Sequence, residues 1–207
     1  MPLVPLRIFR LRAPSSAYAI QLLISGGVTS MFFFLTLDFQ LVHHYGPLRS
    51  GLAFLPASVG VVAAAGAVVP LVGRVGVRPL VTAGAALITV ALILFGRLNG
   101  SSSYTAHVLV PMLLLAAGVG ASFVPLTVAA SIGVPEQDAG LAAGLLTTSM
   151  QLGSAVGLAL LAAIAARATE ASIGYDHGFR LGAGLAGVAT MVAVLALPAR
   201  VGIARSD

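Results

Sequence analysis

Apolar residues run through this chain in long blocks separated by short polar stretches, without strand-like alternation. A helix needs about 20 such residues to cross the roughly 30 Å hydrocarbon layer of a bilayer. Six blocks are long enough: 17–37, 52–72, 80–98, 107–130, 139–166 and 179–197. Backbone polar groups in lipid must be satisfied within the segment or in a closed barrel. Barrel strands would alternate over about ten residues, so these uninterrupted blocks predict helices. The pattern predicts an all-α membrane protein. Residues 1–16 form a cytoplasmic N-terminal segment, 17–198 a six-helix transmembrane bundle, and 199–207 a cytoplasmic tail.

The connectors are HHYGPLRSG, GRVGVRP, NGSSSYTA, SIGVPEQD and RATEASIGYDHG. Loops this short force neighbouring helices to be antiparallel. Pro47, Pro79 and Pro135 punctuate them. Inside the fourth block, Pro125 removes a backbone hydrogen bond and is expected to bend the helix.

Composition points the same way. The chain is 58% hydrophobic and 8% charged, against about 25% charged in soluble domains. Its 24 glycines suit close helix contact in a membrane. Every basic residue is arginine. Arg7, Arg10, Arg12, Arg74, Arg78, Arg200 and Arg205 fall on one side of the predicted bundle, and Arg49, Arg97, Arg167 and Arg180 on the other. The arginine-rich side is expected to be cytoplasmic. Both termini of a multi-pass cell-membrane protein, the inner membrane of a bacterium, would then be cytoplasmic. No face gathers enough arginines to track nucleic-acid phosphates. The chain has no cysteine, so disulfides and thiolate sites are excluded. MPLVPLRIFRLRAP lacks the apolar core of a signal peptide.

The fifth block, AGLAAGLLTTSMQLGSAVGLALLAAIAA, has two small or polar faces. At about 100° per residue, Gly140, Gly144, Thr147, Thr148, Gln151 and Ser154 share one. Ser149, Gly153 and Gly157 share the other. This predicts a helix held between neighbours. Gln151 either bonds an adjacent helix or lines a cavity. The first block carries a stripe of Tyr18, Gln21, Ser25, Phe32 and Thr36. The stripe is either the protein-facing side or a wall for an amphipathic ligand. Gly118 and Ser122, like Gly153 and Gly157, have the small-xxx-small spacing of helix packing. Glu136 and Asp138 open the fifth block, where the helix dipole favours acids. They read as a cap or as part of a gating salt bridge.

Little else suggests chemistry. His107 and His177 lack metal-ligand spacing. Asp38, His43 and His44 mark the wet end of the first block, and adjacent histidines make no chelating pair. Ser122 in GVGASFVP does not match a GxSxG nucleophile. No catalytic residue, metal or cofactor is expected, and the chain does not read as an enzyme. Every acid lies in a loop, a tail or at a helix end.

PLVPLRIFR, MFFFLTLDFQ and YGPLRSGLAFLPASVG, in that order, resemble the carboxy-terminal half of major facilitator superfamily transporters. The branch they resemble is the fourteen-helix drug:proton antiporters. SFVPLTVAASIGVPEQDAGLAAGLLTTSMQLGSAVGLALL is the strongest match, and the resemblance covers about residues 1–198. It implies one six-helix half of a two-bundle fold, with substrate held between the bundles near the midplane. It also implies proton-coupled export of hydrophobic or cationic compounds by alternating access. On this footing Gln21, Phe32, Thr36, Thr148 and Gln151 are the cavity candidates. The expected partners are the lipid bilayer, a small-molecule substrate, and an amino-terminal half or a second copy.

Three features depart from the family. One wall of a cavity is present and the facing wall is not. GRVGVRP keeps Gly73, Arg74, Gly76 and Arg78 of the family's cytoplasmic loop but lacks its aspartate. Asp38 stands where the family often has an aromatic. The alternative expectation is a truncated or degenerate membrane protein that does not transport, or a subunit that needs a partner half.

Overall fold

The computed structural model describes residues 6–37, 39–40, 44–97, 108–167 and 171–198. These residues form two short 3-10 helices, Leu6–Arg10 and Glu136–Asp138, and seven α-helices. They are α1 (Arg12–Leu37), α2 (Pro47–Ala53), α3 (Leu55–Val75), α4 (Val77–Phe95), α5 (Val110–Ser131), α6 (Ala139–Arg167) and α7 (Ala171–Ala196). No strand occurs among the described residues. α2 and α3 join into one span, Pro47–Val75, so six helical stretches are long and apolar enough to cross a membrane. The fold is an all-α, six-span bundle.

Three helix starts lie well ahead of the hydropathy pattern: those of α1, α7 and the second span, which opens at Pro47 rather than 52. α1 begins at Arg12, ahead of the apolar block, with Pro14 in its first turn. A proline there loses no intrahelical bond. α7 begins at Ala171, so most of RATEASIGYDHG, including Asp176, is helix rather than connector. Hydropathy marks where hydrocarbon ends, and a helix can continue past that level into water. Pro125 lies inside α5, which runs through it. Asp38, His43, His107 and the tail 199–207 lie outside the described residues.

The helix contacts define a row, α3–α5–α1–α6. Behind it, α4 packs on α5 and α7 packs on α1, and α4 and α7 also touch. The central helix α1 is the most enclosed: 56% of its apolar window is buried, against 11% for the α2–α3 span and 22% for α6. Phe95 stacks on Phe179 with ring centroids 5.4 Å apart, and Phe34 lies 5.5 Å from Phe179. This trio pins α1, α4 and α7 at one end.

Gly76 alone joins α3 to α4, at φ 89°. That backbone conformation strains any residue with a Cβ, so glycine makes this one-residue turn possible. The helices meet closely where side chains are small. A Cβ on Gly118 would lie 2.6 Å from the Gly84 carbonyl oxygen, at the α4–α5 crossing.

Candidate functional site

α6 divides into two faces along its length. Ala142, Leu146, Gly153 and Gly157 are buried. A Cβ on Gly153 would overlap the Leu22 carbonyl oxygen, and one on Gly157 would lie 2.7 Å from Gly26. Gly153 and Gly157 therefore bring the backbones of α6 and α1 into contact. Gly118 and Ser122 do the same for α5 and α4, and the Ser122 hydroxyl donates to the Gly118 carbonyl at 2.9 Å.

The opposite face of α6 is open. It presents Gly140, Gly144, Thr147, Thr148 and Gln151. Thr148 Oγ1 donates to the Gly144 carbonyl at 2.9 Å and Thr147 Oγ1 to Ala143 at 3.1 Å. A hydroxyl bonded to its own helix stays polar at the surface but is not orphaned. The Gln151 amide has no hydrogen-bond partner among the described residues, and it sits near the middle of the Glu136–Ile164 span.

The candidates on α1 separate. Phe32 is 48% exposed. Thr36 lies one turn on, with its hydroxyl donating to the Phe32 carbonyl at 2.6 Å. Gln21 is 7% exposed, and its amide donates to the Ser25 hydroxyl at 3.1 Å. Tyr18 and Ser25, from the same stripe, are also buried. The open line on α1 runs through Ser15, Ala19 and Leu22 and then Phe32 and Thr36. It drifts round the helix by about a quarter turn, with α5, α6 and α7 all packed on α1. A straight stripe through Gln21 does not follow that drift. The structure thus keeps Phe32 with Thr36, and Thr148 with Gln151. No hydrogen bond or ring contact joins these two pairs.

Half-buried Phe54 and two open residues, Phe123 and Thr127, were not singled out from the sequence. The Phe54 ring lies 5.4 Å from that of Phe32 and 5.5 Å from that of Phe39, extending the aromatic surface onto the second span. Phe123 and Thr127, one turn apart on α5, are exposed beside buried Ser122 and Leu126. α5 is flanked by α3 and α1 and backed by α4, so its open side faces away from α4.

The charged residues sit at the ends. Arg7 Nη2 pairs with Asp138 Oδ2 at 2.6 Å, linking the N-terminal 3-10 helix to the start of α6. Arg7 is 58% exposed, so this bridge contributes at most about 1 kcal/mol. Glu136 and Asp138 form a single 3-10 turn without a side-chain cap bond. Arg74 is exposed at the end of α3, and Arg78 is half-buried at the start of α4. His44, exposed at φ 52°, lies in the turn before α2. No group of three metal-ligating side chains occurs among the described residues.

Residues 1–158 match the family model described as Major Facilitator Superfamily. The chain is 34% identical over 172 residues to the cephamycin export protein CmcT of Amycolatopsis lactamdurans, covering 83% of this chain and 35% of that protein. It is 34% identical over 202 residues to a lincomycin resistance protein of Streptomyces lincolnensis, covering 95% of this chain and 40% of that one. It is 31% identical over 172 residues to the multidrug resistance protein Stp of Mycobacterium tuberculosis, covering 83% and 32%. The chain thus spans 32–40% of the length of these relatives.

Proposed function

The chain belongs to the major facilitator superfamily, and from that membership we propose that it forms one six-helix wall of an exporter of antibiotic-sized small molecules. The relatives' names, cephamycin export, lincomycin resistance and multidrug resistance, supply the substrate class. The observation that carries the reading is Gln151. An amide moved from water into pure hydrocarbon costs about 4–8 kcal/mol. An exposed, unpartnered amide in mid-span is therefore better matched to a second bundle or a wet cavity than to lipid. α3 gives no such argument, because an apolar span can face acyl chains.

In this reading Phe32, Thr36, Thr148 and Gln151 contact substrate or the facing bundle by hydrogen bonding and apolar contact. Gln21 is buried and bonded to Ser25 within α1, so it stays out of the open face. Transport proceeds by alternating access, with the two bundles rocking about the bound compound. Proton coupling needs a carboxylate in a low-dielectric cavity. None of the chain's six acids falls inside one of the six apolar blocks, so in this reading coupling belongs to acids of the facing bundle. The test is complementation in a bacterial strain deleted for its own efflux pumps. The chain is expressed alone, or with the amino-terminal part of the lincomycin resistance relative as a second polypeptide. Resistance is expected only from the pair. No resistance from the pair, where the relative's own two parts restore it, would sink the proposal.

The arginine-rich end lies in the cytoplasm of a bacterial inner-membrane protein, by the positive-inside rule. The chain's lack of cysteine makes this easy to check. Arg49→Cys should react with a membrane-impermeant maleimide in intact cells. Arg74→Cys should react only after permeabilisation. The reverse pattern would invert the topology.

A further inference from the structure

A second feature lies away from the open face, where the first turns of α1 and α4 meet the last turn of α7. A cavity of about 430 Å³ opens there, lined by Arg12, Arg78, Ala13, Ile132, Leu195 and Leu197 among others. Arg12 Nη2 donates to the Leu195 carbonyl at 2.9 Å. That bond lays the guanidinium across the end of α7 and leaves most of its five N–H donors unused. Arg78 is half-buried and has no carboxylate partner among the described residues. Among the described residues, the ion pair at this end engages Asp138 with Arg7 instead. The described charges here are Arg7, Arg10, Arg12, Arg74 and Arg78 against Glu136 and Asp138, five minus two, a surplus of three positive. α4 starts at this cavity with no acid in its first turn and no side-chain cap. Its dipole therefore adds positive potential.

We propose that this cavity binds a phosphate-bearing anion, with the headgroup of an anionic phospholipid as the source its position fits. A guanidinium matches phosphate oxygens in geometry and charge, and two of them line this cavity. The site lies at the ends of three spans, where lipid headgroups would meet the bundle, and its other walls are apolar. Basic pockets between transmembrane helices on the cytoplasmic side hold such headgroups. The proposal concerns the α4–α7 side of the bundle and stands whether or not the open face carries substrate.

The test is native mass spectrometry of the full chain in detergent. It is titrated with phosphatidylglycerol, phosphatidylcholine or inorganic phosphate. Phosphatidylglycerol should be retained over phosphatidylcholine, and Arg78→Gln should cut its retention about fivefold, the value of one arginine near a charged lipid surface. Arg78→Lys should keep part of it, and Arg49→Gln, at the other end, should change nothing. Arg12→Gln is the second variant, and melting by circular dichroism checks that each variant is folded. Retention that persists in millimolar phosphate assigns the lipid as source. Displacement by phosphate assigns a soluble phosphate to the same arginines. Equal retention of the two lipids, or an unchanged Arg78→Gln, overturns the proposal.

Discussion

Gly153→Ala will lower the melting temperature of the bundle, although alanine is the better helix former. In an exposed helix interior the exchange would stabilise by about 1 kcal/mol. At Gly153 the new methyl group would overlap the Leu22 carbonyl oxygen. That atom belongs to the backbone of α1, which cannot swing aside as a side-chain end could. α6 must move off α1, and the Gly157–Gly26 contact one turn along opens with it. Overpacking of this kind costs about 1–3 kcal/mol or more, so the clash outweighs the propensity. Gly153→Leu should cost about 3 kcal/mol or more, a fall of roughly 6–12 °C for a chain of this size. Gly140→Ala and Gly144→Ala are the controls. Nothing lies within 4 Å of a Cβ at either position, so both should melt at or above the parent. Circular dichroism at 222 nm in detergent reads all four. A Gly153→Ala melt equal to those controls would show that α1 and α6 do not approach this closely.

This contrast explains which features were legible in the sequence. Bilayer thickness fixes span length, so the apolar blocks give six spans without knowledge of any partner. α6 keeps one neighbour line along its length, so a plain 100° wheel separates Gly153 and Gly157 from Thr148 and Gln151. α1 is crossed by several helices and its open line drifts. The same wheel therefore set Gln21 beside Phe32 and Thr36, although Gln21 is buried. Exposure of Phe123 and Thr127 depends on where α3 and α1 leave α5 uncovered, which no local pattern encodes. The pairs Arg7–Asp138 and Arg12–Leu195 join residues 131 and 183 positions apart. Charge pattern put those arginines at one end, but only the packed ends of the helices say which partner each one meets. The start of α7 was missed for a different reason: helix and hydrocarbon do not end together.

Gln151→Leu separates the two environments open to the outer face of α6. If lipid covers the face, leucine relieves an unpaired amide and the variant should melt higher with resistance unchanged. If a second bundle and its substrate cavity cover it, leucine removes hydrogen bonds from that cavity. One such bond is worth about 0.5–1.5 kcal/mol, so resistance to compounds that use it should fall roughly two- to tenfold. Resistance to wholly apolar compounds should hold or rise. Thr148→Val is the internal comparison. Its hydroxyl already donates to Gly144, so only an accepting role remains to be lost, and the effect should be smaller. The measurement is a panel of inhibitory concentrations with the chain and its complementing half co-expressed, beside the amount of each variant in the membrane. A Gln151→Leu variant that is more stable and unchanged toward every compound would place the face against lipid and remove Gln151 from the transport path.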